Sequence, residues 1–247
     1  MKLLLLLAGL LILVLCIGPL LNLFNGEVRM DQDWRSANRD SSGLAPDPSD
    51  HPEAIVQVYG ARAFGWRGAF AVHTWVALKP QDASDYTVHE VIGWYARHGG
   101  DTIVSHASAP DRHWYGQRAR VLADLRGAAA AAVIPKIQAL IETYPYNDRY
   151  VMWPGPNSNT FTAYIGRRVP ELRLDLPTTA IGKDYLAGDD WLVPTTAGHG
   201  RQFSLFGLFG FSLANHGVEF NLLSLNFGLN FNPFALRIPG KWITPLW

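Results

Sequence analysis

The residues best suited to chemistry lie in one short segment, Trp153-Pro154-Gly155-Pro156-Asn157-Ser158-Asn159-Thr160-Phe161. Pro154, Gly155 and Pro156 cannot form helix interior, and Phe161, Tyr164, Ile165 and Arg168 follow at helical spacing. A helix is therefore predicted to start at Asn157 or Ser158 and to end at Pro170. A hydroxyl at that start lies beside backbone N–H groups without intrahelical acceptors, at the positive end of the helix dipole. Its ionised form gains stability there, and an oxyanion formed by its attack lies near the same donors. A serine needs a base to take its proton. His73 is the candidate, because it interrupts an otherwise apolar strand. His89 on the next strand can orient that base, as can Glu90. On this reading Ser158, His73 and His89 are catalytic, and Asn157, Asn159, Trp153 and Trp75 contact substrate.

Plainer roles compete for the same residues. Ser, Thr and Asn favour helix starts as caps, and a His in an apolar strand is commonly a hydrogen-bonded structural residue. His89, between Val88 and Val91, also reads as a simply exposed side chain. His106, Asp111 and His113 are suitable zinc ligands by type, but their spacing fits no metal motif, and neither a metal nor a cofactor is expected. Gly182-Lys183-Asp184 lacks the upstream glycines of a phosphate-binding loop. Glu90, Glu142 and Glu171 fall in separate elements and make no glycosidase-type pair. The 21 basic and 21 acidic residues cancel, which argues against a nucleic-acid partner.

The elements that must position these residues read as α+β, an antiparallel sheet with a small number of helices. Hydrophobic residues make up 48% of the chain, enough for a full core. After Met1-Lys2 comes an uncharged apolar run, residues 3–24, longer than a secretory signal core and without a small-x-small cleavage site. Residues 1–24 are read as a transmembrane anchor or signal segment, with the uncleaved anchor favoured. Lys2 places the N-terminus inside, against the opposing pull of Arg29, Arg35 and Arg39. The only cysteine, Cys16, lies within it, so the rest of the chain has no thiol nucleophile. Residues 25–53, with Pro46, Pro48 and Pro52, read as a linker. Residues 54–247 read as a single globular domain. Strands are expected at 54–59, 69–78 and 86–95, and helical spacing recurs through Ile134, Ile137, Leu140, Ile141 and Tyr144, where Pro135 would kink any extension back to Ala128. From Leu223 to Phe231 apolar and polar residues alternate strictly, which predicts a strand whose apolar face packs on the core. The other reading of that alternation is a face resting on lipid.

The order of these motifs, a strand His, a polar residue on the next strand and then Asn-Ser-Asn-Thr-Phe at a helix start, resembles the circularly permuted papain-like folds of the lecithin–retinol acyltransferase type. The resemblance covers residues 69–165 and implies Ser158 in the position of that group's nucleophilic Cys, His73 as base and His89 as orienting residue. The absence of the Cys implies either a serine-dependent site or a binding-only relative. The segments GWRGAFAVHTWVALKP, EVIGWY, WPGPNSNTF, TAIGKDY and FSLFGLFG are similar to an uncharacterised bacterial family, domain-of-unknown-function family 3750. That similarity implies a bacterial envelope protein and brings no established activity. The expectation is an inner-membrane protein with a periplasmic domain. It is either a hydrolase or acyltransferase on amide or ester bonds of peptidoglycan or lipid, or a non-catalytic envelope binding or assembly module.

Overall fold

The computed structural model describes residues 2–241 except 29, 31 and 189, leaving aside the side chains of residues 4, 7 and 8. Arg29 and the last residues of the expected domain therefore lie outside the described residues. Helix α1, Lys2–Phe24, opens the chain. Its later turns press on the rest of the protein, where Gly18, Pro19 and Asn22 are buried. Asn22 Nδ2 donates to Ala69 O at 2.9 Å and to Gly240 O. The helix also touches the 3-10 turn Gly65–Ala69. The longest unbroken stretch of described side chains in α1 is 9–24, and among the described residues no helix is long and apolar enough to cross a membrane.

Strands β1 (Ile55–Arg62), β2 (Val72–Lys79) and β3 (Thr87–Val91) follow, then the short helix α2 (Gly93–Ala96), β4 (Ile103–Ala107) and β5 (Arg120–Arg126). They form an antiparallel sheet in the order β4-β3-β2-β1-β5. The third expected strand is shorter than its sequence suggests, because Gly93 turns the chain into α2. Both faces of this sheet are apolar, so both need cover. On one face Val56, Val58, Val76 and Leu78 pack against α3 (Gly127–Glu142) and α4 (Ser158–Arg168) through Ile137, Phe161 and Ile165. Helix α3 does extend back over the alanines to Gly127, with Pro135 inside it. The other face carries Ile55, Tyr59, Trp75 and Val88, and Leu44 and Trp114 pack on it.

That second cover corrects the linker expectation for residues 25–53. Asp111 accepts from Ser41 Oγ at 2.8 Å, Leu44 N at 2.6 Å and Ala45 N at 3.2 Å, while Tyr86 OH donates to Pro46 O at 3.0 Å. The segment is an irregular lid over one sheet face, fixed by a buried carboxylate and by an isolated antiparallel bridge between Ser41 and Arg112.

Six more strands form a second antiparallel sheet: β6 (Leu192–Pro194), β7 (Arg201–Leu205), β8 (Phe209–Ala214), β9 (Gly217–Leu222), β10 (Leu225–Phe231) and β11 (Phe234–Arg237). Helix α1 touches its β10 strand. The expected alternation is present, but its facing is reversed. Leu192, Phe203, Phe211, Phe220 and Phe227 are cross-strand partners in one row; Leu213, Val218, Leu229 and Leu236 make another. These rows point outward: Phe211 is 49% and Leu236 63% exposed. The buried face carries Gln202, Ser204, Glu219, Asn221, Asn226, Asn230 and Arg237. A period of two identifies a strand with unlike faces and does not say which face is inward. Here the polar face finds its partners inside. Lys183 pairs with Glu219, Arg237 with Asp175 at 2.8 Å, Asn226 Nδ2 with Asp184 at 2.8 Å, and Gln202 Oε1 accepts from Arg167 at 2.7 Å. Burial disfavours the Lys183 charge, but Asp184 and Glu219 outweigh it and raise its pKa.

Candidate functional site

The expected helix start is present, and its cap is Asn157. Its Oδ1 accepts from Asn159 N at 2.9 Å and Thr160 N at 3.2 Å, and Thr160 Oγ1 accepts from Asn157 N at 3.0 Å. This reciprocal capping box satisfies two of the donors that an oxyanion would need. Asn157 Nδ2 also donates to Met152 O and Ile181 O, both at 3.1 Å. The approach is close because Gly182, with φ +100°, has no side chain to collide with Asn157. Asn159 is likewise committed: its Nδ2 donates to Val72 O and Ile181 O, and its Oδ1 accepts from Thr74 at 2.9 Å. Both asparagines thus position the helix, and neither side chain is left to grip a ligand. The Ser158 hydroxyl, by contrast, makes no hydrogen bond among the described residues, and Ser158 lines a cavity.

His73 lines the same cavity, but it approaches from the other face of the first sheet. Thr74, its neighbour, points to α4 and donates to Ser158 O at 3.3 Å. His73 instead stacks on Trp114 at 3.7 Å between ring centroids, with Trp75 on its flank at 5.6 Å. Its Nε2 meets Glu90 Oε2 at 2.9 Å, and Glu90 in turn pairs with Arg112. Burial raises the Glu90 pKa, but His73 and Arg112 outweigh it and hold the carboxyl below the usual range. Burial lowers the His73 pKa, with the Glu90 bond opposing. A carboxylate can only accept, so Nε2 carries the proton and Nδ1 keeps its lone pair. His73 is therefore a neutral imidazole with an oriented ring and an available basic nitrogen. No hydrogen bond joins it to Ser158 among the described residues.

Of the two orienting residues that the sequence offers, the structure brings Glu90 to His73 and not His89. His89 faces the helices, opposite to Glu90, and its Nδ1 bonds Ser105 Oγ at 2.8 Å. Burial, with His106 nearby, pushes its pKa down to about 4. Strand alternation explains the exchange: position 90, not 89, shares the face of residue 73. Trp75 is also reassigned. It is fully buried, its Nε1 donates to Pro110 O at 2.7 Å, and it backs His73 without reaching the cavity. Trp153 does line the cavity, half-exposed, its Nε1 tied to Leu223 O at 3.0 Å. His106, Asp111 and His113 do not converge: His106 lies 3.8 Å from Glu90, Asp111 fastens residues 41–45, and His113 bonds Asp40 O.

The cavity occupies about 810 Å³, within the ~300–1,000 Å³ typical of small-molecule sites. Phe64, Phe70, Trp114, Tyr150, Met152 and Leu225 are among the residues that make its wall. Beyond Val76 the β2–β3 ladder stops, and Val72 and His73 line one side while Gly93, Trp94 and Arg97 line the other. A side chain at Gly93 would enter the Tyr150 ring, so glycine lets that ring form the wall. Arg67 and Arg97 also reach the cavity, and both act on the Tyr150 hydroxyl, whose pKa burial nevertheless raises. Sequence reading missed most of this wall, because single aromatics in irregular segments carry no periodic signal.

A family model described as "Protein of unknown function (DUF3750)" matches residues 53–185, which include every strand of the first sheet, α3, α4 and the residues at both polar points of the cavity. No curated protein and no solved structure matches the chain.

Proposed function

Because the chain belongs to the DUF3750 family, which carries no activity to inherit, we propose from the site itself that it binds an acyl-type ligand in the aromatic cavity, as a non-catalytic module of the bacterial envelope. The observation that carries this reading is the large cavity with an apolar wall and few polar groups, where Asn157 already takes the helix-start donors of residues 159 and 160. Such a wall suits hydrocarbon, and it favours lipid over peptidoglycan peptides, which would leave buried amides unpaired. Arg67 and Arg97 suit an anionic head group at the rim.

Helix α1 supplies the membrane association in this proposal. Its sequence from 3 to 24 has no charge, and at ~1.5 Å per residue 23 helical residues extend about 34 Å, against ~30 Å of bilayer hydrocarbon. Lys2 favours an inner-membrane anchor with the domain in the periplasm.

Binding is tested with a dibrominated fatty acid, which quenches tryptophans that it touches. Saturable quenching is expected. Phe70→Asp, which puts a carboxylate into the wall, should weaken it at least tenfold, about 1.4 kcal/mol. Equal quenching in both proteins would overturn the reading.

A specific observation favours a second reading, a serine-dependent hydrolase or acyltransferase. The Ser158 hydroxyl and the His73 Nδ1 are both without protein partners among the described residues, and both residues line one cavity. In that chemistry Ser158 Oγ attacks the carbonyl of an amide or ester, its proton passes to His73 Nδ1, and Glu90 steadies the imidazolium. The C–N or C–O bond then breaks as the leaving amine or alcohol takes that proton back, which leaves an acyl-Ser158 for water or an acceptor alcohol to release. The papain-like resemblance is consistent with it in motif order alone. A serine-directed phosphonate would label the wild type and not Ser158→Ala; absence of labelling in both leaves the binding module.

A further inference from the structure

The outward face of the second sheet is the largest feature that the cavity does not explain. Across β8, β9, β10 and β11 every side chain turned outward is Phe, Leu or Val. The eight most exposed leave roughly 800 Å² of apolar surface in the open, taking 150–250 Å² per aromatic ring. Monomeric soluble proteins rarely expose more than a few hundred Å² in one patch.

We propose that this sheet face docks on the hydrocarbon of a lipid bilayer, beside α1. The proposal rests on the membrane reading of α1, and several observations select lipid as the occupant. The sheet adjoins a helix whose only charge is Lys2 at its start: α1 touches β10, and Asn22 is fastened to Gly240 just beyond β11. The charges of β9 and β11 are turned inward, where Glu219 pairs with Lys183 and Arg237 with Asp175. Within β8–β11 the outward rows offer no hydrogen-bonding side chain, and the exposed Arg201 of β7, across from Leu213, stands at the margin of the apolar patch, whereas protein interfaces are enriched in Tyr, Trp and Arg at their centres. Hydrocarbon asks for no such partner. Trp153 and Trp191, 50% and 64% exposed, flank the sheet region, as amphipathic rings do at a membrane–water boundary.

The docking face meets the cavity. Leu225 belongs to the outward row Leu205–Phe209–Leu222–Leu225 and also lines the cavity, next to Leu223. A bilayer seated on the sheet therefore adjoins the cavity rim, and an acyl chain can enter without crossing water.

The test uses the full chain with Cys16→Ala, carrying one environment-sensitive fluorophore at a time on Phe220→Cys, Leu236→Cys, Leu5→Cys or Asp82→Cys. Each protein is reconstituted into phosphatidylethanolamine–phosphatidylglycerol vesicles with and without nitroxide-labelled acyl chains. Nitroxide quenching at positions 220 and 236, with none at 82, is the expected result. Quenching at 5 but not at 220 or 236 overturns the sheet proposal and leaves the anchor standing. Absence of quenching at all four positions overturns both. Shielding at 220 without nitroxide quenching, accompanied by a doubled mass in cross-linking, would assign the face to a second copy and also overturn the proposal.

Discussion

His73, Glu90 and Ser158 show how far a residue type carries information about its role. A histidine inside an apolar strand and a hydroxyl at a helix start were legible as features, and both reach the cavity. The sequence offered two partners for His73 and strand parity decides between them: it gives Glu90 to His73 and turns His89 to the helices. Glu90→Gln leaves the Arg112 charge buried without its carboxylate, and chemical denaturation should show a loss of about 3–5 kcal/mol. Ser158→Ala, in contrast, removes no hydrogen bond and should change stability by no more than about 0.5 kcal/mol. His89 and His73, whose pKa values burial lowers, both shape the acid response. The proton affinity of His89 corresponds to about 4 in the fold against 6.5 for an ordinary His. Between those values the unfolded chain binds the extra proton, so stability falls as pH drops from 6.5 towards 4, by about 3 kcal/mol. Below 4.5 the lowered Glu90 adds to the loss, since its ion pairs contribute only while it is ionised. Denaturation at pH 7 and pH 4.5 should show a smaller difference in His89→Gln than in the wild type; equal differences would remove His89 from the account.

At the scale of elements, helix α4 was the most legible part, because prolines before it and an Asn at its start leave little choice. What the sequence could not show is that the cap consumes the donors. Asn157→Ala loses the cap and two further bonds from Nδ2, so a cost near or above the ~2 kcal/mol upper end for caps is expected in a urea titration. A value within experimental error of wild type would mean that the capping box does not hold the helix start. The second sheet illustrates the opposite case. Its period was legible and its facing was not, because the partners of its polar face, Lys183, Asp184 and Asp175, come from an irregular segment far away in sequence. Lys183→Met should cost about 3–5 kcal/mol by leaving the buried Glu219 with only Arg237 at 3.4 Å as a countercharge, and adding Glu219→Leu should recover part of it.

For the whole molecule, the α+β class was legible from strands, then helices, then strands along the chain. The lid built from residues 25–53 was not, since a polar proline-rich stretch looks the same whether it is free or fastened by a buried Asp111 and a backbone bridge. The assembled molecule places a capped helix start, a neutral His73 and an aromatic wall around one cavity whose rim joins the outward sheet. The central claim is that this cavity holds an acyl chain. Photo-cross-linking with a fatty acid carrying a mid-chain diazirine, followed by peptide mapping, tests it directly. Adducts within residues 63–73, 150–153 and 223–225 are expected, and they should be lost in Phe70→Asp. Adducts confined to the outward residues of 209–236, unaffected by that substitution, would contradict the cavity reading.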